Sequence, residues 1–363
     1  MAHRPYTAVL LVPTGVGAAI GGYAGDALPV ARTIAQVVDR LITHPNVLNG
    51  AQLYWSMPNA FYVEGYGLDQ LAAGAWGLRP VHQNRIGLVL DQAIEPDLRL
   101  RHLQVADATR ATLGLNLTDY VITDAPLGVE LRTAASGATW GTIQNPDSLL
   151  RAVEKLKTHA KAEAIAVVAR FPDDLGSEAL QLYRQGQGVD PLSGAEAVVS
   201  HLVVRTFQMP CAHAPALSPL PIDPNLSPRS AAEELGYTFL PCVLVGLSRA
   251  PQLINRQTQP QPQDIWADQI DALIVPATAC GGSAVLSLAA ETKAQILAVS
   301  DNTTRLHVTA EQLGISVLTV RSYLEAVGVL VAHRAGIHPT ALTPNLAQIQ
   351  ALAPEHDKLP VMF

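Results

Sequence analysis

The sequence predicts an α/β protein with mostly parallel sheets, flanking helices and two Rossmann-like lobes. Apolar runs of four to seven residues alternate with segments patterned at helical spacing, the sign of βαβ units. The composition agrees: 48% hydrophobic, 15% charged and 5% aromatic residues suit buried strands covered by alanine-rich helices. At 363 residues the chain can fill two ordinary domains.

Strands are expected at 8–12, 86–90, 120–123, 164–169, 242–246, 272–275, 296–299 and 316–320. Helices are expected at 27–42, 98–113, 147–160, 193–207, 227–235, 283–291, 309–313 and 322–335. Asn145-Pro146-Asp147 marks one helix start by a cap followed by proline, and Ser193-Gly194-Ala195-Glu196 reads as a capping box. The proline-rich stretch 210–228 and the Gln/Pro alternation at 257–263 read as loops. A boundary near residue 150 would separate an N-terminal lobe, 1–150, from a C-terminal lobe, 151–363. The latter contains a compact βαβαβα run at 271–335, and the first strand could return to pair with that run.

Charge and cysteine usage exclude several functions. Twenty-four Lys and Arg face 31 Asp and Glu, a formal charge of −7 with no basic run, which argues against nucleic acid and anionic membranes as partners. Cys211, Cys242 and Cys280 are odd in number and share no metal-type spacing, so a disulfide framework and a metal site are not expected, and a reducing cytoplasm is. The apolar Val9–Val12 run is broken by Pro13 and by glycines, and reads as a first strand and its loop rather than as an export signal. No stretch approaches a membrane-spanning length.

Two glycine-rich loops carry the candidate chemistry. The first, Thr14-Gly15-Val16-Gly17 through Gly21-Gly22, follows a strand, but lacks the third glycine of a dinucleotide fingerprint and the lysine of a Walker loop. The second, Ala279-Cys280-Gly281-Gly282-Ser283, lies between a strand and a helix, and Leu11-Val12-Pro13-Thr14 echoes Ile274-Val275-Pro276-Ala277. Glycines let backbone N–H groups approach an anion, and a helix start adds partial positive charge. If the two strands are neighbours, both loops face one crevice at the carboxyl ends of the sheet. The first loop is equally readable as a tight turn, and the second has the clearer context, an apolar strand before it and an apolar helix after.

Around that crevice, Cys280 is either a nucleophile activated by a helix start or a buried filler. Asp301, Asn302 and Thr303 follow the next strand, where they serve a ligand or an ordinary turn. His44 and Asn46, with Asn59, Tyr62 and Glu64, gather polar groups in an apolar chain. Cys211 and His213 alternate so as to share a face, a thiol and base pair, while His201 reads as a core histidine. Ser193 and Gly194 complete the ligand-binding set.

The motifs from Pro13-Thr14-Gly15 to Gly25-Asp26, Thr43-His44-Pro45-Asn46-Val47, Pro191 to Glu196, Ala212-His213-Ala214-Pro215 and Ala279-Cys280-Gly281-Gly282 together resemble a domain-of-unknown-function family of cyanobacteria and plastid-bearing organisms. The resemblance covers nearly the whole chain; it implies an intracellular setting and no particular reaction. More locally, the surroundings of Cys280 are similar to one half of the aspartate/glutamate racemase group, which implies a second thiol, here Cys211. Met209-Pro210-Cys211-Ala212-His213 departs from that group's Gly-Cys-Thr pattern.

The expectation is therefore an enzyme acting on a small carboxylate- or phosphate-bearing metabolite, of isomerase/racemase or lyase/hydrolase type. Loop amides would bind the anion, and Cys280, His213 or Asp301 would transfer protons. The alternatives are a ligand-binding or sensory protein that does no chemistry, and a structural subunit. The sequence identifies no cofactor, and it is compatible with a homo-oligomer.

Overall fold

A computed structural model describes residues 4–173, 176–235, 239–349 and 351. The chain begins with β1 (Thr7–Leu10), α1 (Leu28–Ala35), β2 (Arg40–Thr43), α2 (Pro45–Leu48), α3 (Ala51–Tyr54), β3 (Ala60–Tyr62), α4 (Gly65–Ala72) and β4 (Trp76–Arg79). It continues through β5 (Ile86–Leu90), α5 (Pro96–Leu113), β6 (Leu117–Ile122), β7 (Val129–Thr133), β8 (Thr139–Ile143), α6 (Pro146–His159) and β9 (Ala164–Arg170). Then come α7 (Glu178–Arg184), α8 (Ser193–Phe207), β10 (Cys211–Ala216), α9 (Pro228–Glu234), α10 (Leu240–Ser248) and β11 (Gln252–Asn255). The chain closes with β12 (Ala272–Pro276), α11 (Ser283–Glu291), β13 (Gln295–Val299), β14 (Leu318–Val320) and α12 (Tyr323–Arg334).

Two parallel sheets organise these elements. One has six strands in the order β14-β13-β12-β1-β2-β3, and the other has four in the order β10-β9-β5-β6. The first strand does return, since Ala8, Val9 and Leu10 of β1 pair in parallel with Ala272, Leu273 and Ile274 of β12. Both sheets combine distant segments, the second joining β5 and β6 to β9 and β10 across residue 150. Alternate strand residues feed opposite cores: Ala8, Leu10 and Ile274 join one buried cluster, and Val9, Leu273 and Val275 the other. Coverage on both faces is why these strands read as unbroken apolar runs.

Several helices match their expected spans closely, 193–207 and 283–291 without change. Others differ for physical reasons. The expected helix 27–42 stops at Ala35, and residues 40–43 form β2, an interior strand of the larger sheet. The apolar run 242–246 is not a strand but part of α10, whose Cys242, Val243, Leu244, Gly246 and Leu247 are buried; a helix buried on nearly every side loses its amphipathic signature. Residues 311–313 make only a short 3-10 turn. Cys211–Ala216, inside the proline-rich stretch, is β10, an edge strand that tolerates Pro215 because one flank needs no ladder donor. The Ser193–Glu196 capping box does not form: Leu192 caps α8 without a side-chain bond, while Ser193 Oγ bonds the Asp190 carbonyl at 3.1 Å.

Candidate functional site

Chain order makes β1 and β12 the point where the larger sheet reverses direction, with β2 and β3 added on one side and β13 and β14 on the other. Open parallel sheets leave a crevice at the carboxyl ends of the strands there. A cavity of about 450 Å³ occupies this position. One side is built from the segments after β1, β2, β3 and β12 and from the start of α11; the other from α8, β10, Glu233 and Phe239.

The expected residues divide around it. Thr14, His44, Asn46, Ser193, His213, Gly282 and Ser283 line the cavity, and Gly15, Gly17, Gly21, Gly22, Gly194, Cys280, Gly281, Asp301, Asn302 and Thr303 are not among the lining residues. Three amides of the first loop are occupied within the protein. Ala19 N–H bonds the Thr303 carbonyl at 2.9 Å, Ile20 N–H the Asn302 Oδ1 at 2.9 Å, and Gly21 N–H the Asp26 Oδ1 at 2.6 Å. Asn302 is thus a buried brace, its Nδ2 donating to the Ile20 carbonyl and to Tyr323 Oη. Gly194 serves packing: a Cβ there would lie 2.3 Å from Trp140 Cα, so only glycine lets β8 cross the start of α8.

Cys280 is fully buried, with Sγ near the Pro276 and Ala277 carbonyls at 3.9 and 3.5 Å. Burial raises its thiol pKa, the reverse of the thiolate expected at a helix start. Cys211 is buried and raised likewise, so neither thiol has an activated setting. Asp301 is exposed and faces Arg321 at 3.5 Å.

What fills the cavity walls instead is a set of imidazoles and carboxylates. His201 of α8 forms an ion pair through Nδ1 with Glu64, the N-cap of α4. Glu64 Oε2 also accepts the Tyr66 and Gly67 N–H groups, at 2.8 and 3.4 Å, so its second oxygen is held toward His201. Burial opposes the His201 cation, but the Glu64 bond and the Glu64 and Asp69 charges outweigh it and raise the pKa. His213 of β10 meets Ser200 Oγ at 3.2 Å through Nδ1, with Glu196 Oε2 3.7 Å from its Nε2. Glu196 and Ser200 stand one turn apart on α8, beside His201.

Two more acids complete the lining. Asp69 accepts the Ala284 N–H at 3.0 Å, satisfying part of the α11 start, and burial raises its pKa. Glu233 is pushed up to about 7, by burial first, with Glu196 adding to the rise and the Tyr183 hydroxyl opposing it. His44 accepts the Val12 N–H at 3.2 Å through Nε2, and burial lowers its pKa to about 4, which keeps it neutral. Among the described residues no lysine or arginine lines the cavity, and no group of histidines, cysteines and acids is arranged to hold a metal.

Nothing in the sequence singles out Asp69, Glu233 or Ser200, and Glu196 reads there only as a cap. The available signal is the polar stripe Glu196, Ser200, His201 on an otherwise apolar helix; nothing local distinguishes Glu233 from a solvated helix end.

The profile of a family described as "Protein of unknown function (DUF3326)" matches residues 7–343. The chain belongs to the DUF3326 family. An uncharacterised lipoprotein of Synechococcus sp. (strain ATCC 27144 / PCC 6301 / SAUG 1402/1) is 63% identical over 345 residues, 95% of each chain. No solved structure matches this DUF3326 chain. Neither match carries a reaction, and neither supports the local likeness to the racemase group. Among the described residues no helix is long and apolar enough to cross a membrane.

Proposed function

We propose that this DUF3326 protein is an enzyme that carries out acid–base chemistry on a small polar metabolite in the cavity at the β1/β12 reversal. The observation that carries the proposal is the His201–Glu64 pair at the cavity wall. A carboxylate beside Nδ1 favours a proton on that nitrogen and leaves Nε2 as the one that exchanges protons, and, against the opposing effect of burial, the Glu64 and Asp69 charges raise the pKa of the ring. His213, backed by Ser200 and Glu196, supplies a second imidazole in the same cavity. Two imidazoles suit chemistry in which a proton leaves one position of a substrate and another is delivered.

The lining also bears on substrate class. Glu64, Asp69 and Glu196 without a lysine or arginine favour a neutral or amine-bearing molecule over the anionic metabolite expected from the glycine loops. The volume suits a ligand of ordinary metabolite size. Three buried cysteines that form no disulfide favour the cytoplasm, and the relative's description as a lipoprotein favours attachment to a membrane; fractionation of cells separates these locations.

The test is incubation of the purified protein with a cellular small-molecule extract in D2O, followed by mass spectrometry. Acid–base turnover gives protein-dependent conversion of a metabolite or its gain of deuterium, lost in His201→Asn and strongly reduced in Glu64→Gln. If no metabolite changes, yet one binds the wild-type protein, the protein is a receptor and the enzymatic reading fails.

A further inference from the structure

Residues 21–26 reach the cavity wall through Ala24. Gly21 N–H bonds Asp26 Oδ1, Gly25 N–H bonds the Asn46 carbonyl at 2.7 Å, and Asn46 Nδ2 returns a bond to the Gly21 carbonyl at 3.0 Å, so the segment is a compact strap rather than a loose loop. Its attachment to α7 and α9 passes through a few side chains. The Tyr23 ring stacks on Tyr183 with centroids 4.5 Å apart, and Tyr23 Oη donates to the Tyr183 carbonyl at 3.3 Å. The Tyr183 hydroxyl donates to Glu233 Oε2, and Ala24 N–H donates to the same oxygen at 3.2 Å. Arg229 of α9 reaches Asp26 Oδ2 at 3.0 Å. Glu233 is the hub of these ties, and both Glu233 and Ala24 line the cavity.

The surroundings of Glu233 are unusually acidic. Tyr183 faces it from α7, Tyr23 and Asp26 from the strap, Glu196 from α8, and Asp190 from the segment before α8. On its own helix, Arg229 is committed to Asp26, and Glu234 is paired with Arg184 at 2.8 Å. Among the described residues no cation is therefore placed to balance a charge on Glu233. A protonated Glu233 keeps Oε2 as acceptor for both donors and carries its proton on Oε1. An ionised one accepts the same bonds more strongly but buries a charge beside Glu196 and Asp190.

We propose that residues 21–26 form a lid over the cavity, latched by protonated Glu233 and released when Glu233 ionises. The balance of burial against hydrogen bonding supports the direction, since burial is the largest influence on Glu233 and sets its titration at about 7. A carboxyl whose pKa is raised in the closed state favours closure at low pH and loses that preference as the pH rises through the raised value. Opening hydrates Glu233 and exposes the cavity. The proposal regulates access to the site assigned above, and its test needs neither substrate nor turnover.

Hydrogen exchange of the full chain between about pH 6 and about pH 8, corrected for intrinsic rates, reads the lid directly. Protection of residues 21–26 is expected to fall about tenfold over that range while β1 stays unchanged. Glu233→Gln, which keeps an acceptor and cannot ionise, is expected to hold the segment protected throughout. Tyr183→Phe removes a donor that favours the ionised form, so its opening midpoint moves to higher pH; this variant decides the matter if Glu233→Gln does not fold. Equal protection at both ends of the range in the wild type, the same fall in Glu233→Gln, or an unmoved midpoint in Tyr183→Phe overturns the latch. Loss of enzymatic turnover in the extract assay with the pH-dependent opening intact would instead count against the acid–base reading alone.

Discussion

The loops that follow β1 and β12 begin alike, leave neighbouring parallel strands at the same end of one sheet, and reach opposite outcomes. In the first, the amides of Ala19, Ile20 and Gly21 are spent on Thr303, Asn302 and Asp26, and the glycines are not among the residues that line the cavity. In the second, Gly282 and Ser283 are exposed at the cavity and open α11 directly, with Asp69 on the Ala284 amide. A glycine-rich sequence therefore reports the backbone shape a loop can take, whereas ligand access depends on which amides the fold has already used.

The comparison breaks most sharply at Gly21. Its φ is +94°, and a Cβ there would sit 2.4 Å from Val12 Cγ1, whose residue is fully buried. Gly21→Ala adds the strain of a left-handed backbone to an overpacked contact and is expected to cost about 2–5 kcal/mol. Urea unfolding measures it. A loss of less than about 1 kcal/mol would show that the first loop has slack and that its glycines do not fix the path of the chain.

The same contrast explains how much of the molecule is legible in its sequence. Strands such as 86–90 and 164–170 are readable because sheets covered on both faces demand continuous apolar runs. The shared Val-Pro pair only suggests that β1 and β12 belong together; their parallel pairing is visible in the fold and not in the sequence. Helix α10 reads as a strand because a nearly fully buried helix and a buried strand have the same composition over five residues. The chemical lining is mostly illegible. Glu64 and His201 lie far apart in sequence and meet only because α4 caps itself with Glu64 against α8. Glu233 acquires its character from Glu196, Asp26 and burial, none of which is local.

A second difference between the loops is how each is held near the cavity, and pH sharpens it. The first begins at Val12, whose N–H is accepted by neutral His44. Burial lowers the His44 pKa from 6.5 to about 4, so the folded state favours the uncharged ring while the unfolded chain takes up a proton more readily. The stabilisation is complete above pH 6.5 and is lost as the pH falls toward about 4. Unfolding free energy followed against pH is expected to decline over that window in the wild type and to decline less in His44→Asn. Identical pH profiles for the two proteins would remove His44 as the fastening of the first loop.

The smallest effect on stability is expected at Gly282, and it is informative because it is small. Gly282 has φ −70° and precedes α11, and a methyl group added to its Cα would meet nothing within 4 Å, so no backbone strain or collision opposes an alanine. Alanine is a poorer N-cap than glycine, which limits the cost of Gly282→Ala to about 0.5 kcal/mol. The new methyl would nevertheless stand at the cavity, where it displaces water or ligand rather than protein. A ligand found for the wild-type protein should therefore bind Gly282→Ala with altered affinity, although the unfolding curves of the two proteins nearly coincide. Were the substitution to leave binding untouched while destabilising the fold as Gly21→Ala does, the second loop would be a packing device like the first, and the distinction between spent and available amides would collapse.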